Sequence, residues 1–162
     1  MNGCRVGWAV CGFTALGVIL DLSVKAFARG WLTPHNPVAI IPGLNLNLGF
    51  NTGVAFGLFA DRAALTLSLM VLVQVGLITV LIVMLYRTTG VAQACYAAIV
   101  SGALGNLVDR LTSGAVTDYI DVYAGTWHWP TFNLADIFIS LGVAGLISHE
   151  LFFDGSRTAV QE

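Results

Sequence analysis

Charge is what this chain has least of. Seven basic and nine acidic residues in 162 make up 10% of the sequence, where a soluble domain carries about 25%. So few charges exclude an ordinary water-soluble fold, which could not cover this much apolar surface. A net charge of −2 with no basic run excludes nucleic acid as a partner. Cysteine is sparse too. Cys4, Cys11 and Cys95 have no metal-type spacing and read as buried, inert thiols. The three histidines, His35, His128 and His149, are scattered, and no serine stands in a nucleophile motif, so no metal and no cofactor is expected. What fills the sequence instead is apolar: 57% hydrophobic residues and a mean hydropathy of +0.82.

The apolar residues gather in four stretches, each near the roughly 20 residues that cross a bilayer core. They predict an α-helical polytopic membrane protein with spans at 6–28, 63–86, 91–108 and 134–153, forming a single domain over 1–162. The first stretch exceeds the h-region of a signal peptide. It carries Asp21 and Lys25 and lacks a small-residue cleavage site, so it reads as a span. The second is apolar but for Gln74, threonines and one serine. Arg87-Thr88-Thr89-Gly90 is a tight turn, whereas the connections 29–62 and 109–133 are long and lie on one side. Residues 38–41 and 44–48, broken by Pro42-Gly43, predict a small sheet resting on the membrane surface. Trp31, Trp127, Trp129 and Phe132 suit an interfacial belt.

Four crossings place almost every polar residue at one membrane face. Asp21, Lys25, Asn51, Asn106, Asp109, Arg110, Asp118, Asn133 and Asp136 all fall there. Ionisable groups in or near a bilayer are costly, and such a convergence marks a functional site. Which face this is cannot be read from charge: Arg5, Arg87 and Arg157 oppose Lys25, Arg29, Arg62 and Arg110.

Within the cluster, Asp21 and Lys25 share a helical face and read as an ion pair, the lysine snorkelling outward. Asn106, Asp109 and Arg110 also share a face, from which the arginine can clamp a carboxylate. Asp118 sits in a strand-like stretch, and Asp136 opens an apolar helix, where a helix-capping role competes with a chemical one. Brought together, two such acids would share a proton, leaving one acid and one base around a water. Asp121, three residues on, should face away from Asp118 in a strand. The small residues Ser101, Gly102, Ala103 and Gly105 allow close helix packing or close approach of a substrate.

Five segments in this order resemble bacterial lipoprotein signal peptidase (signal peptidase II). They are Asp21 with Lys25; Asn51-Thr52-Gly53-Val54-Ala55-Phe56-Gly57; Gly102-Ala103-Leu104-Gly105-Asn106-Leu107-Val108-Asp109-Arg110; Val116-Thr117-Asp118-Tyr119-Ile120; and Phe132-Asn133-Leu134-Ala135-Asp136. The resemblance implies four transmembrane helices, cytoplasmic termini and an extracytoplasmic β-cradle from the first loop. It implies an aspartic endopeptidase of the bacterial inner membrane, active at the periplasmic face. Its substrates would be prolipoproteins, cut just before a diacylglyceryl-modified cysteine. It assigns Asp118 and Asp136 as the catalytic pair, with Asn51, Asn106, Arg110, Asn133, Asp21, Lys25 and Asp109 as support. One departure is Val24, where the family usually places a hydroxyl before its lysine. Membrane lipid is the expected surroundings and a monomer the expected state. The loop 31–59 is expected to close over substrate. A proton-coupled transporter is the alternative, although its site would lie near the midplane.

Overall fold

In the computed structural model of the chain, residues 7–53 and 63–154 are described. Cys4, Arg5, Arg62, Arg157 and the 54–59 end of the expected lid lie outside them. Among the described residues, four helices are long and apolar enough to cross a membrane. These are α1 (Trp8–Trp31), α2 (Ala63–Arg87), α3 (Gly90–Ser113) and α4 (Leu134–His149), the last continued by a π turn at Glu150–Asp154. At 1.5 Å per residue, the 24 residues of α1 or α3 reach about 36 Å, more than the hydrocarbon core.

The third helix is the axis of the bundle. It packs against each of the other three, and 56% of its most apolar window is buried, against 6% for α2. Small residues make this possible. A Cβ at Gly102 would collide with the Ala135 carbonyl of α4, and one at Gly105 with the Asp21 carboxylate of α1. The helix continues to Ser113, past the expected end at 108, and stops where Gly114 takes a left-handed φ of 75° and donates to the Arg110 carbonyl. Asn106, Asp109 and Arg110 therefore ride on a helix end. The outward faces of α1, α2 and α4 expose Leu16, Leu72 and Leu141, as lipid contact requires. Cys11 is exposed on α1, contrary to the expected burial, because it lines an open groove with Ile82 and Tyr86 of α2 and Val100 and Leu104 of α3.

Above the bundle lies an antiparallel sheet in the order β1-β2-β3-β4. The strands are β1 (Val38–Ile41), β2 (Leu44–Asn51), β3 (Val116–Ala124) and β4 (Trp127–His128). The expected pieces on either side of Pro42-Gly43 form its first hairpin. The second long connection supplies the rest: β3 pairs with β2 through Asn45↔Asp121, Leu46↔Ile120 and Gly49↔Asp118. Leu48 and Tyr119 on the underside of the sheet pack on Ala28 and Leu32 at the end of α1. Trp31, Trp127 and Trp129 stay exposed at this end of the molecule.

Candidate active site

The sheet and the ends of α1, α3 and α4 enclose a polar cluster with very little water access. Asp21, Lys25, Asp109 and Asn133 are fully buried, and Asp118 is 3% exposed. Each has a hydrogen-bonding reason to be there, as buried polar groups must.

Asn133 is the hub. As the N-cap of α4, its side-chain oxygen accepts from the Asp136 amide at 3.1 Å, while its own amide donates to Asp136 Oδ2 at 3.2 Å. Its Nδ2 donates to Asp118 Oδ1 at 2.6 Å. One residue thus ties a strand carboxylate to a helix carboxylate. Asp136 is a capping-box residue, and through Asn133 it is also tied to Asp118. Its second oxygen, Oδ1, accepts from Asn106 Nδ2 at 2.9 Å. Asn51, at the end of β2, lies near enough to Asp118 to favour its charged form.

Burial, above all, pushes the Asp118 carboxyl up to about 6; the Asn133 hydrogen bond opposes this, and the negative charge of Asp136 adds to it. Tyr119, next on the strand, is raised to about 12, chiefly by burial. Its hydroxyl accepts from the Leu134 amide at 3.1 Å, so strand and helix start are pinned twice.

Beneath the pair runs a charge network. Lys25 Nζ donates to Asp21 Oδ2 at 2.8 Å and to Asn106 Oδ1 at 2.7 Å, and lies 3.9 Å from Asp109 Oδ2. The expected ion pair forms, but the lysine does not snorkel: fully buried, it points at α3, because Asn106 and two acids offer it better partners than the interface. Asp21 Oδ1 accepts from the Ala135 amide at 2.9 Å, locking the first turn of α4 to α1. Asp109 accepts from Arg29 at 2.5 Å and from the Thr117 amide at 2.7 Å, which anchors the start of β3.

Arg110 departs from its sequence reading. Among the described residues it clamps no carboxylate and donates instead to Gln74 Oε1 on α2, at 2.6 Å. Asp118 and Asp136 remain within its electrostatic reach. Asp121 turns to Asn45 and His128, accepting from Asn45 Nδ2 at 3.2 Å and lying 2.8 Å from His128 Nδ1, and takes no part in the cluster. Sequence reasoning gave no site role to Arg29 or Gln74. Arg29 follows Lys25 by one helical turn, and Gln74 is the one amide in the apolar run of α2; either position was a signal.

A groove of about 660 Å³ opens between α2 and α3 beside the cluster, lined by Leu69, Met70, Val73 and Ile139, with Gln74 and Arg110 as polar members. Carboxylates sharing one hub, a neighbouring cation and an apolar groove together suit hydrolysis of a substrate with a lipid-like part.

The comparisons with known proteins agree with this architecture. A family model described as Signal peptidase (SPase) II matches residues 13–152. The chain is 37% identical to a lipoprotein signal peptidase of Yersinia pseudotuberculosis, covering 98% of this chain and 96% of that one. It is 38% identical to a lipoprotein signal peptidase of Yersinia pestis, covering 98% and 93%. A solved structure described as a bacterial membrane enzyme superposes with a TM-score of 0.81 at 23% identity, covering 94% of this chain and 99% of that one, and shares the fold.

Proposed function

Since the chain belongs to the signal peptidase II family, we propose that it is an aspartic endopeptidase that removes signal peptides from prolipoproteins, with Asp118 and Asp136 as its catalytic pair. The observation that carries this reading is the Asn133 hub, which joins the two carboxylates within one buried cluster. Asp136, held by two N–H donors, is the base: it takes a proton from a water as that water attacks the scissile carbonyl. Asp118, raised to about 6, is the acid and hydrogen-bonds the carbonyl oxygen as charge develops there. The proton taken by Asp136 passes to the leaving amine, and the C–N bond breaks with no covalent intermediate.

The apolar groove beside Arg110 supports a substrate whose cysteine carries a diacylglyceryl group, since acyl chains can lie there in contact with the bilayer. The sheet and exposed tryptophans at the polar end suit the periplasmic face of the inner membrane, with the Thr88–Thr89 turn in the cytoplasm. Cysteine-accessibility labelling tests this orientation: a cysteine at Asn36 should label from outside and one at Thr89 only after permeabilisation. Transport finds no support, because among the described residues the buried ionisable groups sit at the sheet end of the bundle and the matching relatives are peptidases.

The deciding experiment incubates purified protein with a lipid-modified prolipoprotein and compares wild type with Asp118→Asn. Cleavage at the modified cysteine by wild type alone is expected. Undiminished cleavage by the variant would refute the assignment.

A further inference from the structure

We propose that Gln74 is a positioning residue, which holds Arg110 off the acid pair so that Asp118 can keep its proton. The inference rests on the reading of Asp118 and Asp136 as that pair.

Gln74 sits in the middle of an otherwise apolar helix, on its less exposed side. Both ends of its amide are engaged. Nε2 donates to the Ala103 carbonyl at 3.0 Å, and Oε1 accepts from Arg110 Nη1 at 2.6 Å. A carbonyl can only accept and a guanidinium can only donate, so the amide has one orientation that satisfies both. Arg110 in turn reaches back along α3 into the groove, beside Gly53, Met70 and Gln74. Among the described residues its buried Nε has no hydrogen-bond partner and no salt bridge joins it to an acid.

That arrangement is unusual for a cation with three acids, Asp118, Asp109 and Asp136, within electrostatic reach. A charge-assisted bond to a carboxylate is about twice as strong as one between neutral groups. The other cations are committed: Lys25 to Asp21 and Asn106, Arg29 to Asp109. The ionisable groups facing the pair are Asp21 and Lys25 from α1, Asp109 and Arg110 from α3, and Tyr119 from β3. Among the described residues α2 brings none to this end. Among the described residues, Arg110 is therefore the one cation near the pair that is not already bonded to an acid. If it did, it would favour two ionised carboxylates and remove the proton that the acid must supply.

The test is the pH dependence of kcat for cleavage of a purified lipid-modified prolipoprotein by wild type, Gln74→Leu, Gln74→Met and Gln74→Glu. A cation drawn to Asp118 favours its ionised form, so its proton is lost at lower pH. In Gln74→Leu and Gln74→Met the high-pH limb should move down by about one unit, with kcat beyond the limb falling about tenfold and KM little changed. Gln74→Glu keeps an acceptor for Arg110 and should leave the limb where wild type has it. A uniform loss at every pH with unshifted limbs, or a glutamate variant that behaves like the leucine one, would overturn the proposal. Asp118→Asn in the same assay separates the two readings. If it cleaves, the acid pair is wrong; if it is inactive and the Gln74 limbs do not move, only the role of Gln74 is wrong.

Discussion

The two ends of the helical bundle are built on different physics. At the sheet end, α1, α3 and α4 are joined by hydrogen bonds and ion pairs among Asp21, Lys25, Arg29, Asn106, Asp109, Asn133 and Asp136. Toward the other end the helix contacts are largely apolar, as where Gly142 and Gly145 of α4 lie against Cys95 and Ile99 of α3. The apolar contacts are individually weak and forgiving. In lipid they gain little from burial, because the surroundings are as apolar as the interface. The polar contacts are directional and leave costly orphans when one partner goes. The sheet end thus fixes the geometry around the proposed acid pair, and the opposite end is expected to tolerate substitution better.

The sharpest way to break this comparison is at the proposed acid pair. Asp136→Asn should lower turnover at least about a thousandfold while leaving the protein folded, and the Asp118→Asn, Asp136→Asn double variant should be no worse, because the two act as one unit. Asp121→Asn, on the same strand but bonded to Asn45 and His128, should still cleave. A matched set of turnover rates and melting temperatures measures all three against wild type.

Lys25→Met should give the largest loss of stability. It leaves Asp21 and Asp109 short of a buried cation, and breaking such a pair costs about 3–5 kcal/mol. Thermal unfolding in detergent reads this, and a melting point near that of wild type would show that the network does not hold the bundle. Gly105→Ala is a milder probe of the same end. Its methyl group would press on the Asp21 carboxylate, at a cost of about 1–3 kcal/mol.

Proton linkage distinguishes the ends next. Asp118 has its folded value raised from 3.8 to about 6, so the folded state holds this proton more tightly than the unfolded chain. Its contribution to stability is greatest below the unfolded value and is lost as pH rises through the folded one. Between pH 4 and 6 the melting temperature of wild type should fall relative to that of Asp118→Asn, which lacks the group. Equal slopes would show that Asp118 is not held this way. The smallest effect belongs to the lipid-facing surface: Val83→Ala on α2, 41% exposed, should shift stability by no more than about 0.5 kcal/mol.

Local features of the sequence carried a good deal. The four apolar runs, the strand pieces around Pro42-Gly43 and the turn at Arg87 need only hydropathy and turn chemistry, and each lies where its residues suggest. The end of α3 was misjudged because polarity begins at Asn106, whereas the helix ends only at Gly114, whose left-handed backbone stops it. The burial of Lys25 was misjudged for a different reason: its deciding partner, Asn106, is 81 residues away. The aim of Arg110 toward Gln74 rather than a carboxylate depends on how α2 sits against α3, which no single helix records.

By itself, therefore, the sequence determined the number of spans, the gathering of polar residues at one end and the acids available there. Hydropathy, helical spacing and chain order are local properties, and crossing a bilayer an even or odd number of times assigns each loop to a side. Only the tertiary structure decided which polar atoms meet. It made Asn133 the link between Asp118 and Asp136, buried Lys25 against α3, joined β3 to the first hairpin and turned Arg110 toward Gln74. These are hydrogen bonds of under about 3.2 Å between segments distant in sequence, and their geometry follows from glycine-mediated helix packing and strand register that no local pattern specifies.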